Sequence, residues 1–274
     1  MQLTYTHRHY RILSQLFYLA ALLVWCYKGW NGNWLHDWYA AALPYEGMDP
    51  FYWILIAIKV PQTIIHSKFL IWGLDVIILL SLVGTLTLPK RKVFNWTFTI
   101  AYIVYSIVYN TFSGHHYHSI GVILLSICFL FSYKNPNSSK VFHFARLYLC
   151  FMLASAFVWK LVRNNLFEMD HFSKIILDQN IYYFQSFPDS FRAEILFFLV
   201  DNVELSHSLW IGLMFLQASF ALGFFTKRFD LLLMVFFILF MAGSWFFMNI
   251  VNLDNYTLIL LFFPYGLLNR RIKI

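Results

Sequence analysis

Gly73-Leu74-Asp75-Val76-Ile77-Ile78-Leu79-Leu80-Ser81-Leu82-Val83-Gly84-Thr85-Leu86-Thr87-Leu88, closed by Pro89-Lys90-Arg91-Lys92, is the stretch that decides the fold. With Phe69-Leu70-Ile71-Trp72 ahead of it, the run is apolar from 69 to 88. That matches the ~20 residues an α-helix needs to cross ~30 Å of hydrocarbon. In lipid every backbone N–H and C=O must be paired inside the segment, and a helix does this. Proline and three basic residues then stop the run.

Similar runs lie on both sides of it, at about 12–29, 94–112, from the histidines near 115 to about 133, 143–161, 207–225, 229–248 and 253–268. The expected fold is an all-α integral membrane protein, a polytopic helical bundle of about eight spans. It forms a single transmembrane domain over 1–274. Composition agrees: 60% of the residues are hydrophobic and 12% charged, where a soluble domain carries roughly 25% charged residues. Phe, Tyr and Trp number 31, 17 and 10, as lipid-facing surface and interfacial belts require.

Two segments read differently. Residues 51–68 are interrupted by Lys59, Pro61, His66 and Lys68. A re-entrant or interfacial helix is expected there, and a true span is the alternative. Residues 162–206 form one long polar connection. Within it Phe191–Val203 places Ile195, Leu196, Phe198 and Leu199 at helical spacing, the pattern of a helix lying on a membrane surface.

The basic residues orient the bundle. Thirteen (Arg8, Arg11, Lys90, Arg91, Lys92, Lys134, Lys140, Arg146, Lys227, Arg228, Arg270, Arg271, Lys273) fall on one side and seven on the other. By the positive-inside rule the first side is cytoplasmic. Both termini are then expected in the cytoplasm, in the inner membrane if the cell is bacterial. The histidine stretch, Lys160 and the 162–206 connection are expected outside. The net charge of +7 follows this topology and forms no patch, which argues against nucleic acid as a partner. Cys26, Cys128 and Cys150 all lie in apolar runs, where cysteine behaves as a small hydrophobe rather than as part of a disulfide framework. The first run lacks a small-residue cleavage site and is expected to stay as a span. No P-loop, GxSxG, CxxC or dinucleotide fingerprint occurs.

Lys160, in Ala154-Ser155-Ala156-Phe157-Val158-Trp159-Lys160-Leu161, is the sharpest candidate for chemistry. A charge inside a span is costly and marks a functional site by default. A lysine held away from water can act as a general base, although near a span end it can also snorkel to the headgroups beside Arg163. His115, His116 and His118 open another run. They can serve as an acid/base partner for Lys160 or as an interfacial cluster. His115 and His118 share a helical face, but no further ligand spacing supports a metal. Asp75 can be the counter-charge of Lys160 or Arg146, part of a proton path, or a neutral packing residue. Asn249, Asn252, Asp254 and Asn255 can line the same cavity or form a polar turn.

His115-His116-Tyr117-His118-Ser119-Ile120-Gly121 resembles the Asn-His-x-Tyr-Leu-x-Gly type of motif of the vitamin K-dependent γ-carboxylase-like transmembrane domain. That superfamily is also called the horizontally transferred transmembrane domain (HTTM) and is distantly DoxX-like. Phe157-Val158-Trp159-Lys160-Leu161 stands where that family has Ala-Gly-x-Lys-Leu. The resemblance covers roughly 8–268. It implies His116 and Lys160 as catalytic residues and reduced vitamin K or another membrane quinol as cofactor. In the carboxylases the lysine deprotonates the quinol, oxygen adds, and the strong base that results removes a proton from a peptide glutamate, whose carbanion captures carbon dioxide. Three departures stand out: Val158-Trp159 replaces the glycine-bearing pair before the lysine, the Trp-x-x-Gly expected soon after it is replaced by the stretch around Phe172 and Lys174, and no β-rich peptide-binding domain is expected after the last span. The alternatives are a non-catalytic protein that binds membrane lipid or an extracytoplasmic protein partner for export or assembly, and a proton-coupled transporter.

Overall fold

The computed structural model describes residues 7–42, 50–112, 120–131, 138–250 and 253–263. Among them every regular element is helical. In order these are α1 (His7–Trp30), α2 (Pro50–Ala57), α3 (Val60–Ile65), α4 (Lys68–Thr87), α5 (Lys92–Phe112), α6 (Ile120–Leu130), α7 (Ser138–Val162), α8 (His171–Gln179), α9 (Ile181–Ser186), α10 (Phe191–Asp201), α11 (Val203–Ser219), α12 (Leu222–Phe225), α13 (Asp230–Met248) and α14 (Leu253–Tyr256). Short 3₁₀ helices cover Leu35–Trp38 and Thr257–Leu261.

Among the described residues, five segments are long and apolar enough to cross a membrane: Tyr10–Trp38, Lys68–Thr87, Lys140–Val162, Val203–Phe225 and Asp230–Met248. α4 shows why lipid is the solvent. Ile71, Ile78 and Leu82 are buried, yet Phe69, Trp72, Val76, Leu80 and Val83 form an exposed apolar stripe on the same helix. A helix that is apolar all round needs a membrane or a large core around it, and here the outward face has no protein cover.

The expected boundaries at 12–29, 69–88, 94–112, 143–161 and 229–248 fall within a few residues of α1, α4, α5, α7 and α13. The region 51–68 is two short helices rather than one. Lys59 takes a left-handed backbone conformation, φ 55°, and becomes the N-cap of α3, with Pro61 in the first turn. A left-handed residue interrupts the helical hydrogen-bond ladder.

The chain divides into two compact units. The first holds residues 1–142 and 253–260, and the second 143–252 and 261–274. In the first, α1 turns Leu13, Phe17, Ala21 and Trp25 inward, the i, i+4 spacing of one helical face. Trp25 meets Tyr105 of α5 edge-on with ring centroids 4.9 Å apart, and Phe17 stacks on Phe129 of α6 at 5.2 Å. Gly84 lies under the ring of Phe94, so that a Cβ there would be 2.4 Å from it. This lets α4 and α5 close into a hairpin through the Pro89–Arg91 turn. In the second unit Phe172, Ile176, Leu196, Leu199, Trp210, Leu213 and Met214 form one core cluster joining α8, α10 and α11.

Candidate functional site

Lys160 lies in the last turn of α7. The helix ends just past it because Asn164 adopts a left-handed conformation, φ 58°, which asparagine tolerates and which commonly closes helices. The amide of Asn165 then turns back to donate to the Lys160 carbonyl at 3.1 Å. The Asn165 carbonyl accepts the indole N–H of Trp210 at 3.0 Å. This fixes Trp210 beside the end of α7, with Nζ of Lys160 5.7 Å from its ring centroid, within cation–π range. Phe172 backs the indole, stacked at 5.3 Å.

Nζ of Lys160 donates to Oε1 of Gln217 at 2.9 Å. Gln217 is seven residues beyond Trp210 on α11, so both lie on one face, and both are buried. Among the described residues Lys160 has no carboxylate partner. Its surroundings are a neutral amide and an aromatic face, which hold an amine in place without neutralising it. Outside the membrane-length helices, burial and then the Arg146 guanidinium push the Lys227 ammonium below its ordinary range, while Asp230 pulls it up.

The buried cation Arg146 of the second unit does have a carboxylate partner. Arg146 is buried and donates from Nε to both oxygens of Asp230 at 3.0 and 3.1 Å. Its Nη1 donates to the Gly223 carbonyl at 2.8 Å and its Nη2 to the Thr226 carbonyl at 3.0 Å. Nη2 also reaches Asp230. One planar fork thus joins α7, the turn after α12 and the start of α13.

In the first unit Asp75 is buried in α4 and accepts three donors. The Leu35 amide gives 3.2 Å, the His36 amide 3.0 Å and the His36 Nδ1 2.9 Å. The His36 ring stacks on Trp72 at 3.8 Å. These partners of Asp75 all come from the turn after α1. The loop after α1 folds back to supply its donors, while Arg146 takes Asp230 and Lys160 takes Gln217. Asp254 is buried in α14. Its Oδ2 pairs with Lys28 at 2.8 Å and its Oδ1 accepts the Tyr102 hydroxyl at 3.0 Å. The Lys28 ammonium also lies 4.9 Å from the Tyr105 ring and 5.1 Å from the Tyr109 ring.

His115, His116, His118 and Asn252 lie outside the described residues, and so does the expected pairing of His116 with Lys160. Among the described residues no group of three or more His, Cys, Asp or Glu side chains could hold a metal ion. Sequence reasoning missed Gln217, Lys28 and His36. Gln217 had a usable signal, since a polar residue in the middle of Met214-Phe215-Leu216-Gln217-Ala218 needs a partner in lipid. His36 had none, because its role depends on a loop folding back.

Comparison of the chain with protein-family models, curated proteins and solved structures returns no match. The fold defines a class on its own terms: a helical protein of membrane character in which Lys28 and Arg146 each meet a carboxylate and Lys160 meets an amide.

Proposed function

We propose that the chain is a multi-pass membrane enzyme in which Lys160 acts as a general base toward a weakly acidic, lipid-soluble hydroxyl compound of the quinol class. About eight spans with both termini in the cytoplasm complete the reading, from run length and the positive-inside rule. The observation that carries it is the Lys160 environment. The buried cations Lys28 and Arg146 each have a carboxylate, while Lys160 has the Gln217 amide and the Trp210 ring.

The donor set fits a hydroxyl on a flat ring. As a free amine, Lys160 keeps one N–H on Gln217 Oε1 and presents its lone pair to an incoming proton. Gln217 fixes the position of Nζ, and Trp210 offers an aromatic face beside it. A quinol, when bound, supplies the acidic hydroxyl and the reducing electrons. The resemblance to the γ-carboxylase-like transmembrane domain supports the same lysine and suggests His116 as its partner.

The test is purification in mild detergent, extraction and mass spectrometry of bound quinone, and oxygen consumption with a reduced menaquinone analogue. Lys160→Ala is expected to lose turnover while still inserting and folding, with its stability lowered by no more than the ~1–3 kcal/mol that an unsatisfied Gln217 amide costs. Undiminished turnover in that variant overturns the proposal.

A further inference from the structure

The 162–206 connection carries a second feature, independent of Lys160 chemistry. α8–α10 are fastened to the end of a membrane-length helix. Arg192 donates from Nε to the Phe246 carbonyl at 3.0 Å and from Nη2 to the Trp245 carbonyl at 3.2 Å. Asn180 donates from Nδ2 to the Phe247 carbonyl at 2.8 Å and accepts Arg192 Nη2 on its Oδ1 at 3.0 Å. These three carbonyls belong to the last turn of α13, where a helix leaves its acceptors without partners and where a cation is favoured. The cap thus sets α9 and α10 level with the C-terminal end of α13.

At that level the connection exposes large apolar side chains. Tyr182 is 83% and Phe191 76% exposed, and Ile181, Phe187 and Phe198 are also exposed. No residue of α9 is buried. Aromatic and aliphatic groups at the end of a span are the composition of an interfacial belt. The connection also carries seven acidic residues against three basic ones. Attraction to anionic headgroups is therefore not what holds it, and burial of apolar side chains must be.

We propose that α9 and α10 form a platform immersed in the lipid leaflet at the C-terminal end of α13, with Ile181, Tyr182, Phe187, Phe191 and Phe198 seated among headgroups and upper acyl chains. The partner is the lipid surface itself. The anchor is the Arg192–Asn180 cap on α13.

The experiment uses the full-length protein in phosphatidylcholine nanodiscs, with nitroxide labels at Tyr182→Cys, Phe187→Cys and Phe191→Cys in a Cys26→Ser background. Cys26 is the exposed cysteine, and Cys128 and Cys150 are buried. Labels at Lys174→Cys and Asp178→Cys are the aqueous reference. Collision with oxygen against a water-soluble nickel chelate reads depth. The three apolar sites are expected about 5–10 Å below the phosphates, with oxygen access dominant, while the reference sites favour the chelate. Chelate-dominated access at the apolar sites overturns the proposal. So does low access to both reagents, which would mean protein cover. All the labelled positions are exposed, so folding is not at risk.

Discussion

Arg146→Ala removes the one side chain that serves Asp230 and the Gly223 and Thr226 carbonyls together. Breaking a buried pair by deleting one partner costs about 3–5 kcal/mol, because the other charge stays behind unpaired. Asp230 retains 15% side-chain exposure, so water partly replaces the guanidinium and the lower end applies, about 3 kcal/mol. At roughly 2–4 °C per kcal/mol for a chain of this size class, the thermal midpoint falls by about 6–12 °C. Tryptophan fluorescence of the detergent-solubilised protein during heating reads it. Arg146→Lys keeps the charge but loses the planar fork, and is expected to lie between wild type and alanine. Arg146→Met with Asp230→Leu removes both charges and is expected to recover most of the loss, because a buried pair replaced by apolar groups is often neutral. A midpoint for Arg146→Ala within about 2 °C of wild type would refute the reasoning, since that is below roughly 1 kcal/mol. A double variant as unstable as Arg146→Ala would place the effect in packing instead of charge.

Asp254→Ala leaves the Lys28 ammonium unpaired among tyrosines and is expected to destabilise by about 3–5 kcal/mol; a double-mutant cycle with Lys28→Met should show strong coupling, and additive effects would rule the pair out as a unit. Gly121→Ala puts a Cβ 2.4 Å from the Asp254 carbonyl oxygen and 2.8 Å from the Asn255 Cα, backbone atoms that cannot swing aside. A loss of about 1–3 kcal/mol follows, whereas Gly73→Ala and Gly212→Ala, which meet nothing within 4 Å, should be neutral or slightly stabilising by thermal melt. His36→Ala takes one of three donors from Asp75 and is expected to cost about 1–3 kcal/mol, and an unchanged melting curve would count against the clamp.

Among the described residues, the runs at 12–29, 69–88, 143–161, 207–225 and 229–248 were legible as membrane-length helices. The run 69–88 carries its own stop in Pro89–Lys92, and α4 ends at Thr87 accordingly. The break at Lys59 was foreshadowed by Pro61 and by charges in an apolar stretch. Partners were not legible. Lys28 reads as a topology marker near the end of α1, and nothing local points 226 residues ahead to Asp254. Asp75 was visible as a carboxylate in need of a donor, but the donors come from Leu35 and His36, in a loop whose folding back leaves no periodic trace. Lys160 was visible for the same reason as Asp75, and its amide partner could have been found by asking which other polar groups sit inside apolar runs.

The Lys28–Asp254 pair has a consequence for biogenesis. The carboxylate of Asp254 leaves the ribosome 226 residues after Lys28. At about 5–20 residues per second the wait is roughly 10–45 s. Throughout that interval α1 carries a cation near its end without the carboxylate that later pairs with it. Residues 253–260 belong with the first unit. That unit is therefore completed only after residues 253–260 have been made, and a nascent chain truncated before Asp254 should remain prone to quality-control proteolysis.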